Sequence, residues 1–215
     1  MIYRCVAASV AGFVQQLAVS YIANGYYFYV SGSIPSIKDP SRTDAKIILQ
    51  YAIAISKWAR ARKKKLGNAG VQYLRYDRFF VIMANHGAHP FFAAEAGQIR
   101  DIRRQPLYFM GYTIGCRTGR DGGTLHPSVH IDGAVFRELK HWFERAAVYQ
   151  SVDQLREDLR SIPYEPYAPV RNQLRTLVRL VNQRRKAAGL ELVPPQAVWR
   201  QRKPVRPFGQ SEYAH

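Results

Sequence analysis

Apolar residues in this chain recur at helical spacing at both ends and cluster in short runs through the middle. Val6, Val10, Phe13, Leu17 and Ile22 fall near one helical face, which predicts a helix over residues 2–23. Asn24-Gly25 ends it, because both residues tolerate a left-handed backbone. Residues 26–30 are aromatic and β-branched and predict a buried strand; the two prolines in 34–40 predict a loop. Thr43 or Asp44 is placed to cap a second helix running to about Leu66, with Ile48, Tyr51, Ile55 and Trp58 on its inner face. Residues 71–76 and 78–84 predict two strands that meet near Asp77. A helical turn is expected at 91–96, and 99–104 has no decisive pattern. A strand is expected at 107–117, a turn at 119–123, and a strand at 124–132 that Pro127 marks as an edge or bulge.

The remainder reads as helical. Val135, Leu139, Trp142 and Phe143 give an inner face to a helix at 134–149, and a shorter helix follows at 152–162. Pro163, Pro166 and Pro169 make a stiff connector. Val170, Leu174, Leu177 and Val181 then define an amphipathic helix at 170–188, closed by Gly189. Pro194-Pro195 opens an extended basic tail. The expected class is α+β: a small, mostly antiparallel sheet flanked by helices, with a helical C-terminal region and an extended basic tail. The expected division is a core domain at 1–162 and, at 163–215, the connector, the basic helix and the arm.

Composition narrows the function. The chain has 215 residues, 47% of them apolar, enough for a sizeable core. Its 32 Lys and Arg against 15 Asp and Glu give a net charge of +17, which a polyanion would relieve. Cys5 and Cys116 are too few and too far apart for a disulfide framework or a zinc cluster, so a reducing cytoplasm is expected. Gln15 and Gln16 interrupt the N-terminal apolar run, which is expected to be a core helix, neither signal peptide nor membrane span. No membrane partner and no cofactor are expected.

The cations fall in two blocks. Residues 57–78 hold eight Lys and Arg against one Asp, and residues 171–206 hold ten against Glu191 alone. Residues 134–160 are balanced, five against five. Such segregation points to a phosphate-contacting face. Its expected members are Lys57, Arg60, Arg62, Lys63, Lys64, Lys65, Arg75, Arg171, Arg175, Arg179, Arg184, Arg185, Lys186, Arg200, Arg202, Lys203 and Arg206. Arg171, Arg175 and Arg179 step by four, so their guanidinium groups stand about 6 Å apart along the helix and suit successive phosphates. Asn172, Gln173, Asn182 and Gln183 would add base or sugar contacts. Trp199 and Phe208, interleaved with the tail cations, suit stacking on unpaired bases. Tyr26, Tyr27, Phe28 and Tyr29 form a second candidate platform. The expected function is nucleic-acid binding, DNA or RNA, as in a mobile-element or ribonucleoprotein accessory factor with protein partners in its complex. An assembly subunit is a further option; it requires the apolar face of the 170–188 helix to be exposed.

The enzymatic alternative is a metal-dependent nuclease or transposase-like strand transferase. It would use His86, His89, His126 and His130, with Glu95 or Asp132, as metal ligands and Tyr149 as nucleophile. The His-hydrophobic-His spacing of that class is absent. Gly119-Arg120-Asp121-Gly122-Gly123 lacks the Lys-Ser/Thr ending of a phosphate-binding loop and reads as a hairpin turn.

Residues 71–84, VQYLRYDRFFVIMA, resemble the palm motif of intron-type reverse transcriptases, with its Tyr-x-Arg-Tyr lead-in, Ala-Asp-Asp and apolar strand. Phe109-Met110-Gly111-Tyr112-Thr113-Ile114 resembles the Phe-Leu-Gly-Tyr-x-Ile segment that follows in that family. With the stretch between them, the segments span about a fifth of the chain. The resemblance implies two Mg²⁺ ions on paired aspartates. Here only Asp77 stands near, followed by Arg78, and a cation beside a metal carboxylate opposes metal binding. No polymerase activity is expected.

Overall fold

A computed structural model of the chain describes residues 3–119, 122–199 and 205–209. They form an α+β fold with seven α-helices and two small antiparallel sheets among the described residues. Contacts divide the chain into two units, residues 1–107, 115–127 and 205–215, and residues 108–114 and 128–204. These lines differ from a division at 162/163, because the three long C-terminal helices share one core.

In the first unit, β1 (Phe28–Ser33), β2 (Val71–Tyr76), β3 (Phe79–Ala84) and β4 (Arg100–Asp101) pair antiparallel in the order β2-β3-β1-β4. Tyr76 pairs with Phe79, so Asp77-Arg78 is a two-residue turn, and Asp77 takes φ 51°. β2 is buried at five of six positions, Arg75 among them. The N-terminal helix starts later than its apolar spacing suggests. Residues 5–7 lie beside β2: Arg75 N donates to Cys5 O and Ala7 N to Arg75 O, each at 2.7 Å. Ser9 then caps α1 (Val10–Gln15), which continues as a π-helical turn (Gln16–Tyr21) and a 3-10 turn (Ile22–Asn24).

The second predicted helix is two helices. Asp39, not Thr43 or Asp44, caps α2 (Pro40–Gln50). Ala52 at φ 46° then turns the chain, Ile53 is buried, and Ser56 caps a separate α3 (Lys57–Lys65). α4 (Pro90–Ala94) is one short turn. The C-terminal residues 205–209 belong to this unit. Ala8 N donates to Pro207 O at 2.9 Å, and a Cβ on Gly12 would stand 2.8 Å from that oxygen. Residues 205–209 are therefore docked against α1, not extended.

The expected strand 107–117 is a hairpin, β5 (Leu107–Phe109) and β6 (Tyr112–Thr118). Both residues of the Met110-Gly111 turn have positive φ, the two-residue turn that matches strand twist. With β7 (Leu125–Ile131) they form a three-stranded sheet, β5-β6-β7. Gly119 N donates to Thr124 O at 2.7 Å, closing the expected turn.

In the second unit, α5 (Gly133–Tyr149), α6 (Val152–Ser161) and α7 (Ala168–Ala187) enclose Phe143, Ala147, Leu155, Leu159, Leu174, Leu177 and Val181. Asp132 caps α5, and Ser151 with Gln154 forms a capping box on α6. The apolar face of α7 is buried against this core, so the exposed face that the assembly-subunit option requires is not there. The stretch after α7 is also not an arm from Pro194 onward. Val193, Ala197 and Val198 are core residues, the last two on a 3-10 turn (Pro195–Val198).

Candidate nucleic-acid interface

α3 is the most cationic element of the first unit. Its sequence KWARARKKK carries six cations and no acid, and none of its residues is buried. Among the described residues, none of these cations has a carboxylate within ion-pair distance. An isolated nine-residue helix is marginal in water, so further contacts have to hold it. At its start, Ser56 Oγ accepts from Ala59 N at 3.1 Å, and Arg60 Nη1 donates to Ile55 O at 2.9 Å. At its end, Gly67 O accepts from Ala88 N and Ala69 N donates to Ala88 O, each at 3.0 Å. Gly87, at φ 135°, permits this approach; a Cβ there would stand 2.5 Å from Ala69 N. The chain after β3 thus clamps the end of α3, while Lys57, Arg62, Lys64 and Lys65 stay exposed and Arg60 and Lys63 are half-buried.

α7 carries the second set. Arg171, Arg175 and Arg179 are all exposed and follow one helical stripe. Arg171 Nη1 donates to Pro166 O at 2.8 Å and Arg175 Nη1 to Asn172 Oδ1 at 3.2 Å, so neither is neutralised. Lys186 is exposed, and Arg184 lies 3.8 Å from Glu144. Arg206 is exposed; Arg200, Arg202 and Lys203 lie outside the described residues.

Two expected members are not available to a ligand. Arg75 is 8% exposed and forms a bidentate pair with Asp44. Arg185 is 4% exposed and donates to Ala147 O and Gln150 O at 2.8 Å and to Glu191 O. Sequence spacing shows that a cation is present, not that the fold has surrounded it with carbonyl oxygens. Two amides expected to read bases are likewise structural. Gln173 exchanges bonds with both backbone groups of Ile131, at 2.8 and 2.9 Å, and Asn182 does the same with Val193, at 2.8 Å each.

The four candidate histidines His86, His89, His126 and His130 do not come together as a metal centre among the described residues. Among the described residues, no group of three or more His, Cys, Asp or Glu is placed to hold an ion. His86 packs edge-on against Phe28, and Ser128 Oγ lies 2.8 Å from His130 Nε2. His126 is exposed. His89 caps α4, its Nδ1 accepting from Phe91 N at 3.1 Å; burial and the nearby Lys63 ammonium push its pKa down, favouring the neutral ring. Both thiols are held protonated, Cys5 pushed up to about 12 and Cys116 to about 11, chiefly by burial. Tyr149, the candidate nucleophile, is 88% exposed at the end of α5, beside a shallow depression lined by His141, Glu144, Arg145 and Arg184.

The aromatic run does not make an open platform. Tyr29 is core, its hydroxyl donating to Gln105 O at 3.1 Å, and Phe28 packs against Phe92. Tyr27 lies under the Arg103 guanidinium, 4.8 Å from its ring centre. On α3 an aromatic does stand in solvent: Trp58 is 81% exposed, although its spacing predicted that it faces inward. Its position was legible: residues 61, 62 and 65, the neighbours an inner face would need to be large and apolar, are Ala, Arg and Lys.

Comparison with protein-family models, with curated proteins and with solved structures gives no match for this chain.

Proposed function

We propose that this protein binds nucleic acid through phosphate contacts, using α3 in one unit and the arginine stripe of α7 in the other. The observation that carries the reading is α3 itself. Six cations sit on an anchored nine-residue helix with no acid and no buried side chain, so the helix makes no contribution to a core. Concentrating like charge there costs self-repulsion, and a polyanion is the partner that turns this cost into attraction by releasing counterions. Arg171, Arg175 and Arg179 repeat the arrangement with guanidinium groups suited to phosphate oxygens. Arg75 and Arg185 are excluded from this surface. Among the described residues no helix is long and apolar enough to cross a membrane.

Recovery of bound polymer from the purified protein, with RNase and DNase treatment in parallel, tests the proposal. Nucleic acid should co-purify at low salt and be reduced when Arg62, Lys64 and Lys65 are replaced by glutamine. Protein free of nucleic acid at low salt, with no affinity for added DNA or RNA, would reject it.

A further inference from the structure

Trp58 is a large apolar side chain near the start of the most cationic element of its unit. The half-buried residues of α3 are Ala59, Arg60 and Lys63. With about 100° per residue, the opposite side of the helix is centred on Trp58 and Lys65, with Arg62 beside them. The indole therefore points away from the protein on the outward face, with exposed Arg62 about one turn and Lys65 about two turns further along the helix. The helix that carries it is capped at its start by Ser56 and tied at its end to Ala88.

Resting on the nucleic-acid reading above, we propose that α3 is a single-strand site, in which an unpaired base stacks on the Trp58 indole while Arg62 and Lys65 hold successive phosphates to one side of it. A base in a duplex has both faces covered by its neighbours, so a closed duplex can offer α3 only its phosphates. An unpaired strand offers a π-face as well, and stacking on an aromatic side chain accepts any base. An anionic lipid surface fits less well. An interfacial helix needs a continuous apolar face, whereas cations point in nearly every direction around α3 and its apolar residues are Trp58 and two alanines.

The test is fluorescence anisotropy of the full chain with a labelled 20-nucleotide oligo(dT) or oligo(U) and with a 20-base-pair duplex of mixed sequence, at fixed salt. Trp58→Ala should weaken single-strand binding by about 5- to 150-fold and leave duplex binding within about twofold. Trp58→Phe should keep most of the affinity, and Arg62→Gln with Lys65→Gln should weaken both ligands. Equal losses on both ligands, or no loss, for Trp58→Ala would overturn the single-strand assignment while leaving phosphate binding intact. Displacement of the oligonucleotide by phosphatidylserine vesicles, with Trp58→Ala abolishing vesicle binding, would overturn it in favour of a membrane surface. Absence of any nucleic-acid binding by the parent protein would remove both proposals together.

Discussion

Arg75 meets Asp44 through two parallel bonds, Nε to Oδ1 and Nη2 to Oδ2, each 2.8 Å long, with both residues less than a tenth exposed. Tyr73 adds a third bond to the same carboxylate, its hydroxyl donating to Oδ1 at 2.6 Å. The network joins α2 to β2 and gives a buried arginine a stated job inside the fold. Removing one member of a buried pair strands the other, at about 3–5 kcal/mol. Asp44→Ala should therefore lose about that much stability in urea unfolding. Asp44→Leu combined with Arg75→Met should recover a large part of the loss, because no charge is left unpaired. A cost under about 1 kcal/mol for Asp44→Ala would show that the pair is not buried as described.

Gly12 and Pro207 hold residues 205–209 against α1. A Cβ on Gly12 would lie 2.8 Å from Pro207 O and 3.0 Å from Pro207 Cα, both backbone atoms that cannot rotate aside. Gly12→Ala should loosen residues 205–209 and cost about 1–3 kcal/mol if the contact is kept under strain. Limited chymotrypsin digestion reads this: cleavage after Phe208 should accelerate in the variant. Unchanged cleavage would mean the docked tail contributes nothing.

His89 gives a pH dependence with a definite sign. Its folded pKa is lowered, by burial first and by Lys63 second, so the unfolded chain binds this proton more readily than the folded one. The neutral ring is native at neutral pH, and stability should fall as pH drops through the ordinary histidine range near 6.5. His89→Asn keeps a helix-capping side chain without a titrating ring. Thermal unfolding at pH 7.5 and pH 5.5 should show a smaller acid-induced drop in Tm for His89→Asn than for the parent. Equal drops would exclude His89 as the source.

Two arginines of α7 should separate stability from binding. Arg185 donates into the carbonyls at the end of α5, so Arg185→Met should destabilise the second unit by about 1–3 kcal/mol through unsatisfied buried oxygens. Arg179 is exposed, and Arg179→Gln should leave Tm unchanged within about 1 °C, the usual result for an isolated surface change, while weakening oligonucleotide binding. Denaturation and binding measured on the same two variants check both halves.

The α+β class, the β2–β3 turn at Asp77 and the helices α5 to α7 were legible because each shows its own period or turn residues locally. The break between α2 and α3 was not. Ile48, Tyr51, Ile55 and Trp58 keep helical spacing straight through it, and only the positive φ of Ala52 and the Ser56 cap reveal it. The late start of α1 was hidden for a related reason: residues 5–7 pair with Arg75, nearly seventy positions away. On the candidate surface, exposure of Lys57, Arg62, Arg171, Arg175 and Arg179 follows from their helical faces. The burial of Arg75 and Arg185 depends on long-range acceptors, Asp44 and the α5 carbonyls, which no local pattern marks.

Oligonucleotide affinity measured from 50 to 300 mM salt bears most directly on phosphate neutralisation by α3 and α7. The logarithm of the binding constant should fall linearly with the logarithm of salt, by about 0.7 to 0.9 per phosphate contacted. Replacing Arg62, Lys64 and Lys65 by glutamine should reduce that slope by about two units, and replacing Arg171, Arg175 and Arg179 should reduce it by a similar amount if both helices hold the same strand. An affinity that does not change across this range, or a slope that both triple variants leave intact, would contradict the account.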